Sequence, residues 1–176
     1  MGREGKGGKK IMFIGHITKI KQNVKAYISS NLSVIPLQAN SKQPAVNWKE
    51  FQTRKISAQE IDKYEWHNVG IVTGTISSLV VFDADTEAAV SFLRNFEEFR
   101  NTATVKTRRG IHYYFIVDDL PQEFGSQKIY KDNIKIDLKA NGGYVVAPPS
   151  VVDGHEYVWG RENGDGSAQE VLELSF

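Results

Sequence analysis

Residues 79–85 read LVVFDAD, an apolar run that ends in two aspartates one residue apart. Successive side chains of a β-strand point to opposite faces, so Asp83 and Asp85 project from the same face of one strand end. Hard cations such as Mg²⁺ prefer carboxylate oxygens as ligands. The stretch therefore predicts a strand that carries a strongly acidic, candidate metal-binding face.

Two other segments alternate with the same period of two. In residues 133–139, NIKIDLK, the apolar side chains would enter the core and the polar ones would share the opposite face. The residues on that polar face are Lys135, Asp137 and Lys139. In residues 111–117, the period places His112 on the face opposite Tyr113 and Phe115.

These strands would form a site if they are sheet neighbours in a suitable register. One face would then hold three carboxylates, an imidazole, two lysines and the nearby Arg108 and Arg109. A pair of divalent cations about 3.5–4 Å apart can activate an attacking hydroxyl and stabilise the leaving oxygen in phosphoryl transfer. The pattern favours metal-assisted chemistry on a triphosphate, although an acidic pair at this spacing also occurs by chance.

The rest of the chain predicts an α+β domain with a central, largely antiparallel sheet. The predicted helices cover residues 17–31, a segment that starts at Ser57, and residues 86–99. The predicted strands cover residues 33–37, 69–73, 78–82, 102–107, 111–117, 133–139 and 143–147. The turn-prone residues 74–77 predict a hairpin between two of these strands. Ser57, with Glu60 three residues later, matches a capping box.

Composition narrows the class of protein. The 22 Lys and Arg against 21 Asp and Glu leave a net charge of +1, so nucleic-acid contacts must come from local patches. The lack of cysteine excludes disulfides, zinc–thiolate sites and thiol nucleophiles. The apolar runs are much shorter than a membrane span. We expect a cytoplasmic protein with no membrane partner.

The length of 176 residues predicts one domain. Residues 1–10 are rich in glycine and basic side chains and almost devoid of apolar ones. We expect them to form a flexible basic tail, with residues 11–176 as the folded core.

Each feature of the candidate site also has a purely structural explanation. Asp85 could cap the helix that follows it, with Asp83 a solvated strand-end residue. The polar row of residues 133–139 could be an ordinary solvent-facing strand, and residues 108–110 an exposed hairpin turn. His112 could be a hydrogen-bonded structural histidine. The occurrence of all of them together favours a functional site.

Several segments occur in an order that points to one family. They are Lys42-Gln43-Pro44 with Trp48, NVGIVTG at 68–74, LVVFDAD at 79–85, GIHYYF at 110–115, Asp137, and GGYVVAPPS at 142–150. Together they resemble the Prim-Pol domain of the archaeo-eukaryotic primase superfamily, especially the bifunctional primase/polymerase type. The resemblance extends over residues 33–159, most of the chain.

The resemblance implies roles for individual residues. The implied metal ligands, for Mg²⁺ or Mn²⁺, are Asp83, Asp85 and Asp137, which would be catalytic together with His112. His112 and Arg108 would bind the triphosphate of an incoming nucleotide. The further nucleotide-binding candidates are Arg109, Lys135 and Lys139. Gly110 departs from the family pattern, in which a serine is common, and so removes a hydroxyl that could contact phosphate.

The implied fold is an N-terminal αβ module packed against an RRM-like antiparallel sheet module, with the active site in the cleft between them. Residues 11–176 would be the catalytic core of a DNA primase/DNA polymerase, a nucleotidyltransferase of DNA replication. It would extend strands by two-metal phosphoryl transfer, and initiation stays open. Its partners would be single-stranded or primed DNA and nucleoside triphosphates. Many relatives also carry a helical accessory or helicase region, so the chain would be a fragment or a minimal form.

Two other functions fit some of these features. A nucleic-acid-binding relative with weak catalysis would keep the fold, but the three aspartates and His112 argue against loss of the site. A metal-dependent nucleotide-sugar transferase also uses an acidic pair after a strand. Incorporation of labelled nucleotides into a primed template separates these possibilities.

Overall fold

The computed structural model describes the backbone of residues 6–160 and 172–173, and the side chains of residues 15–160. The helices are α1 (Lys6–Ser29), α2 (Glu87–Leu93) and α3 (Glu97–Asn101), with 3-10 turns at Trp48–Gln52, Ala58–Lys63 and Thr75–Ser77. The strands are β1 (Ser33–Leu37), β2 (Asn68–Val72), β3 (Leu79–Ala84), β4 (Thr104–Lys106), β5 (Ile111–Ile116), β6 (Gln127–Lys131), β7 (Ile134–Lys139), β8 (Tyr144–Ala147), β9 (Val151–Val152), β10 (His155–Glu156), β11 (Val158–Trp159) and β12 (Leu172–Glu173).

The strands form two main sheets. The small sheet has the order β1-β2-β8, and the large sheet has the order β11-β4-β5-β3-β7-β6, with β12 beside β5. Neighbours along both orders run antiparallel, and β12 runs parallel to β5. A short hairpin pairs β9 with β10. The prediction of an α+β protein rich in antiparallel sheet is confirmed; the RRM-like arrangement stays a prediction.

Helix α1 packs its apolar stripe against the small sheet. Ile20, Val24 and Tyr27 are buried in one hydrophobic cluster with small-sheet residues such as Ile35 and Ile71. Each large apolar side chain buried in this way contributes roughly 1.5–3 kcal/mol. The predicted helical stripe is confirmed. The helix begins before Ile17, so residues 6–10 of the predicted tail are part of α1 and residues 1–5 lie outside the described residues.

The large sheet separates two layers of side chains as the period of two predicts. On one face, β5 and β7 residues such as Phe115 and Leu138 pack with Leu93 of α2. On the other face, Val81 and Tyr114 join the cluster that includes the small sheet and α1. The predicted separation of His112 from Tyr113 and Phe115 follows from this arrangement. No helix among the described residues has the length and apolar character needed to span a membrane.

The predicted hairpin between residues 69–73 and 78–82 is wrong, because β2 and β3 belong to different sheets. Backbone hydrogen bonds join Gly74 and Leu79 beside the turn, and the two strands then diverge. Gly74 has a φ of 91°, a conformation that favours glycine. The Asn141 side chain holds the turn, since its Oδ1 accepts from the backbone N–H of Thr75 at 2.9 Å.

The predicted helix over residues 86–99 is interrupted between α2 and α3. Phe96 has extended backbone, while the Asn95 amide donates to the carbonyl of Phe92 and Arg100 donates to that of Arg94. Side chains thus satisfy carbonyls that a continuous helix would bond to its own backbone. The apolar side chains keep their helical spacing across the break, and the rings of Phe96 and Phe99 pack together.

Two other sequence expectations are refined. The helix expected from Ser57 is a 3-10 helix, and its capping interaction is present, with the Ser57 N–H donating to Glu60 Oε2 at 3.0 Å. Strand β6 was not predicted from the sequence. Its side chains are mostly exposed on both faces, so the hydrophobic alternation that identifies a half-buried strand is weak there.

Gly110 lies where the β4–β5 turn passes the end of β3. A Cβ atom at this position would overlap the carbonyl oxygen of Ala84 and lie 3.1 Å from the Cα of Asp85. Because Ala84 is part of β3 and pairs with Ile111 of β5, relief would require the two strands to separate. The glycine is therefore needed for close packing, and a serine would not fit this backbone.

We expect Gly110→Ala to destabilise the protein by roughly 1–3 kcal/mol, because the added methyl overpacks a rigid contact. Thermal unfolding measures the change. The matched control is Gly15→Ala in α1, where a Cβ meets nothing within 4 Å and alanine should stabilise the helix by up to about 1 kcal/mol. Equal unfolding midpoints for both variants would contradict the close approach at Gly110.

Candidate active site

The strand register of the large sheet brings three of the predicted residues side by side. Asp83 on β3 is the direct partner of His112 on β5 and of Asp137 on β7. Directly paired residues point to the same face of a sheet. The Nε2 atom of His112 lies 3.5 Å from Oδ1 of Asp83. Of the residues predicted to share one face, the strand register brings Asp83, Asp137 and His112 together.

Asp85 follows β3 and forms an ion pair rather than a helix cap. Arg109 Nη2 donates to Asp85 Oδ2 at 2.6 Å. The residue that caps α2 is Thr86, whose side chain accepts from the N–H of Ala89. The capping explanation for Asp85 is therefore excluded. Its carboxylate instead points to the Arg109 guanidinium.

Asp137 lies between two lysines of its own strand. Lys135 Nζ is 3.0 Å from Asp137 Oδ1, and Lys139 Nζ is 3.9 Å from Asp137 Oδ2. The three side chains share the face that alternation predicts. Because the Asp137 side chain is only 21% exposed, this row is not an ordinary solvent-facing strand.

Burial controls the electrostatics of the Asp83–His112 pair. Removal from water, reinforced by the charge of Asp85, raises the pKa of Asp83 to about 6. Burial and, to a smaller extent, the nearby lysines lower the pKa of His112 to about 3. His112 is therefore neutral at pH 7. Among the described residues, Asp83 Oδ1 and His112 Nδ1 are buried without a hydrogen-bond partner.

A cavity of about 440 Å³ opens over these residues. It is lined by Asp83, Asp85, Asp137, His112, Arg109 and Lys139 from the predicted set, and by Lys42, Trp48, Ser126, Gly142, Gly143, Tyr144, Val145, Val146 and Tyr157. Its walls come from the large sheet on one side and from β8 and the loop before Trp48 on the other. The cavity is large enough for a small ligand.

Lys42 is a site residue that sequence reasoning did not assign. The loop that carries it is held by Asn68, whose Nδ2 donates to the carbonyls of Gln38 and Ser41 at 3.2 and 3.3 Å. Tyr144 adds a hydrogen bond from its hydroxyl to the Lys42 carbonyl at 3.0 Å. The motif Lys42-Gln43-Pro44 was visible in the sequence, but its approach to the aspartates depends on this tertiary pairing.

Arg108 lies beside Asp85 and Arg109 rather than with Asp83, Asp137 and His112. It lines a smaller cavity of about 210 Å³ together with Lys42, Asp85 and Arg109, and its Nη1 lies 3.7 Å from Asp153 Oδ2. The larger cavity is not lined by Arg108 within the part of the chain that the structure describes. Its predicted role on the triphosphate stays a prediction, and a nucleotide would have to extend into the smaller cavity to reach it.

The carboxylates partly fit a divalent cation. Within residues 15–160, no group of three or more His, Asp or Glu side chains is already arranged as a metal site. Asp83 and Asp137 are nevertheless direct strand partners, and Asp83 presents a buried oxygen without a hydrogen bond from the described residues. The donor set is all carboxylate, which suits Mg²⁺ or Mn²⁺. To bind a metal ion, the Asp85 carboxylate would have to give up its ion pair with Arg109.

Comparison with known proteins identifies one matching family. The sequence model of the family described as bifunctional DNA primase/polymerase, N-terminal, matches residues 24–174. The match spans both sheets and includes Asp83, Asp85, His112 and Asp137. A search of curated proteins gave no match.

We expect Asp83→Asn to stabilise the metal-free protein at pH 7.5. Because the folded-state pKa of Asp83 is raised to about 6, its contribution to stability falls as pH rises from about 4 to about 6 and is lowest above that range. A shift of about two pH units corresponds to roughly 2–3 kcal/mol.

Thermal unfolding between pH 4 and pH 8 tests this expectation. The stabilisation should vanish near pH 4 and be several degrees at pH 7.5. Asp119→Asn, at an exposed turn position, is the control and should change the midpoint little. A lower midpoint for Asp83→Asn at pH 7.5 would show that Asp83 is not held in an unfavourable charged state.

Proposed function

The chain belongs to the bifunctional DNA primase/polymerase N-terminal family, and we propose that it is a template-directed nucleotidyltransferase with Asp83, His112 and Asp137 at its centre. The observation that carries the proposal is the strand register that pairs Asp83 with both other residues at a cavity lined by cations. In the proposed reaction a 3′-hydroxyl attacks the α-phosphate of a nucleoside triphosphate. A new phosphodiester bond forms and pyrophosphate leaves.

The proposed metal ligands are Asp83, Asp85 and Asp137, with Mg²⁺ or Mn²⁺ as the ion. A bound divalent ion supplies charge neutralisation for the triphosphate and acidifies the attacking hydroxyl. The ligand set contains two strand partners and one carboxylate at the strand end. Binding of the ion would also relieve the repulsion that Asp85 and Asp137 exert on Asp83.

The cations of the cavity provide the second part of the proposed site. Arg109 and Lys139 are held near carboxylates, so they are already positioned when a triphosphate enters. Lys42 faces them from the loop before Trp48. Phosphoryl transfer depends mainly on positioning and charge stabilisation, and these side chains can supply both.

Neutral His112 suits the role of hydrogen-bond donor. Its side chain is 5% exposed, and its low pKa keeps it uncharged at pH 7. A neutral imidazole carries one N–H donor and can bind a phosphate oxygen without adding a charge to a buried position. The role proposed for His112 is to orient the triphosphate and not to exchange protons with it.

The alternatives are less well supported. Membership of the family argues against a nucleotide-sugar transferase. A binding protein without catalysis would have no need for the ionised Asp83 beside Asp85 and Asp137, an arrangement that destabilises the fold. The choice between ribonucleotides and deoxynucleotides is a matter for the incorporation assay.

We expect Asp83→Ala and Asp137→Ala to reduce nucleotide incorporation on a primed template by at least about 100-fold, since each removes charge stabilisation of the transition state. Incorporation of labelled nucleotides with Mg²⁺ or Mn²⁺ is the measurement. Mg²⁺ should also raise the unfolding midpoint of the wild type but not of Asp83→Ala. Extension near the wild-type rate by either variant would refute the assignment, and Asp119→Ala is the matched control.

We expect His112→Ala to weaken nucleotide binding by about 10-fold or more, because a charged phosphate loses a buried hydrogen-bond donor. Binding of template DNA should change far less. The two affinities are measured separately, by titration with a non-hydrolysable nucleoside triphosphate and with labelled DNA. Equal losses in both would show that His112 supports the whole fold rather than the nucleotide.

A further inference from the structure

A surface beside the candidate active site combines an exposed aromatic ring with lysines. Tyr130 of β6 is 67% exposed, the highest value among the large hydrophobic side chains of the described residues. Lys128 on the same strand is also exposed. Strand β6 ends the hydrogen-bonded order of the large sheet, next to β7.

The strand register shows that this surface continues the face of the candidate site. Lys128 is the direct partner of Asp137, and Tyr130 is the direct partner of Lys135. Paired residues share a face, so Lys128 and Tyr130 point to the side on which Asp83 and His112 lie. Ile129, between them, packs with the opposite hydrophobic cluster.

Protection of the sheet edge from pairing with another sheet explains the lysines of β6 but not Tyr130. Lysines on an edge strand prevent it from pairing with another sheet, and Lys131 fits that role. An exposed ring has the opposite effect, because it adds apolar surface at the edge. Protection of the edge therefore does not account for Tyr130, whose position one strand from Asp137 offers a functional explanation.

We propose that the surface formed by Lys128 and Tyr130, beside Lys135, binds the unpaired template strand next to the nucleotidyl-transfer site. Single-stranded nucleic acids bind where aromatic rings stack on bases and cations follow the phosphates. Every base has a stacking face, so this contact suits a template of any sequence. The identity of the strand as a template rests on the proposed function, whereas binding of a single strand does not.

The direct test is the affinity of the full chain for a labelled single-stranded DNA oligonucleotide, measured by fluorescence anisotropy without nucleotide. Tyr130→Ala should weaken binding by about 5- to 150-fold, the range of one lost base stack. Tyr130→Phe keeps the ring and should bind within about twofold of the wild type. A loss with Tyr130→Phe equal to that with Tyr130→Ala would overturn the stacking contact.

The salt dependence of the same affinity tests the lysine. Lys128→Ala should lower the slope of log affinity against log salt by about 0.7, the value for one phosphate contact on a single strand. Lys131→Ala is the matched control, because Lys131 has the same charge on the same strand but pairs with Ile134 on the other face. An unchanged slope in Lys128→Ala, or an equal change in Lys131→Ala, would refute the surface.

Parallel measurement of nucleotide incorporation separates this inference from the proposed function. If the variants show the expected binding losses but the wild type incorporates no nucleotide, the surface is a single-strand binding site and the proposed function fails. If the wild type incorporates nucleotides while Tyr130→Ala and Lys128→Ala bind DNA as the wild type does, the proposed surface is wrong.

Discussion

The pairing of β3 with β5 on one side and with β7 on the other is the constraint on which the candidate site depends. A shift of one residue in either register would turn every side chain of the shifted strand to the opposite face. In the observed register, Asp83 stands between His112 and Asp137. Gly110 allows the turn before β5 to approach the end of β3, and the two hydrophobic clusters hold the large sheet from both sides.

The grouping of three carboxylates that includes Asp83 lowers the stability of the fold. Asp83 is 15% exposed and has Asp85 and Asp137 as neighbours, so its ionised form lowers the stability of the metal-free protein. Lys139 and Lys42 offset part of this repulsion without removing it. Natural proteins accept such local destabilisation where binding or catalysis requires it. The proposed binding of a metal ion and a triphosphate would neutralise the crowded carboxylates and so offset this loss of stability.

The sequence was most informative in the strands, where the two-residue alternation of side chains predicts which residues share a face. Alternation correctly predicted which side chains of residues 79–85, 111–117 and 133–139 share a face, because successive side chains of any strand point to opposite faces. It could not predict which strands are neighbours. The turn at residues 74–77 resembles a hairpin, but tertiary contacts to Asn141 direct β2 and β3 into different sheets. Sequence reasoning did not single out Lys42 or Tyr130, because their positions beside the site depend on contacts across the fold and not on local pattern.

The central claim is that the face shared by Asp83, His112 and Asp137 joins nucleotides under the direction of a template. The most direct measurement is the release of pyrophosphate by the wild-type chain on a primed template with Mg²⁺ or Mn²⁺, quantified together with the length and sequence of the product. The account predicts one pyrophosphate for each nucleotide added, with each addition dictated by the template base and abolished by chelation of the metal. Pyrophosphate release without strand growth, or growth that ignores the template, would contradict it.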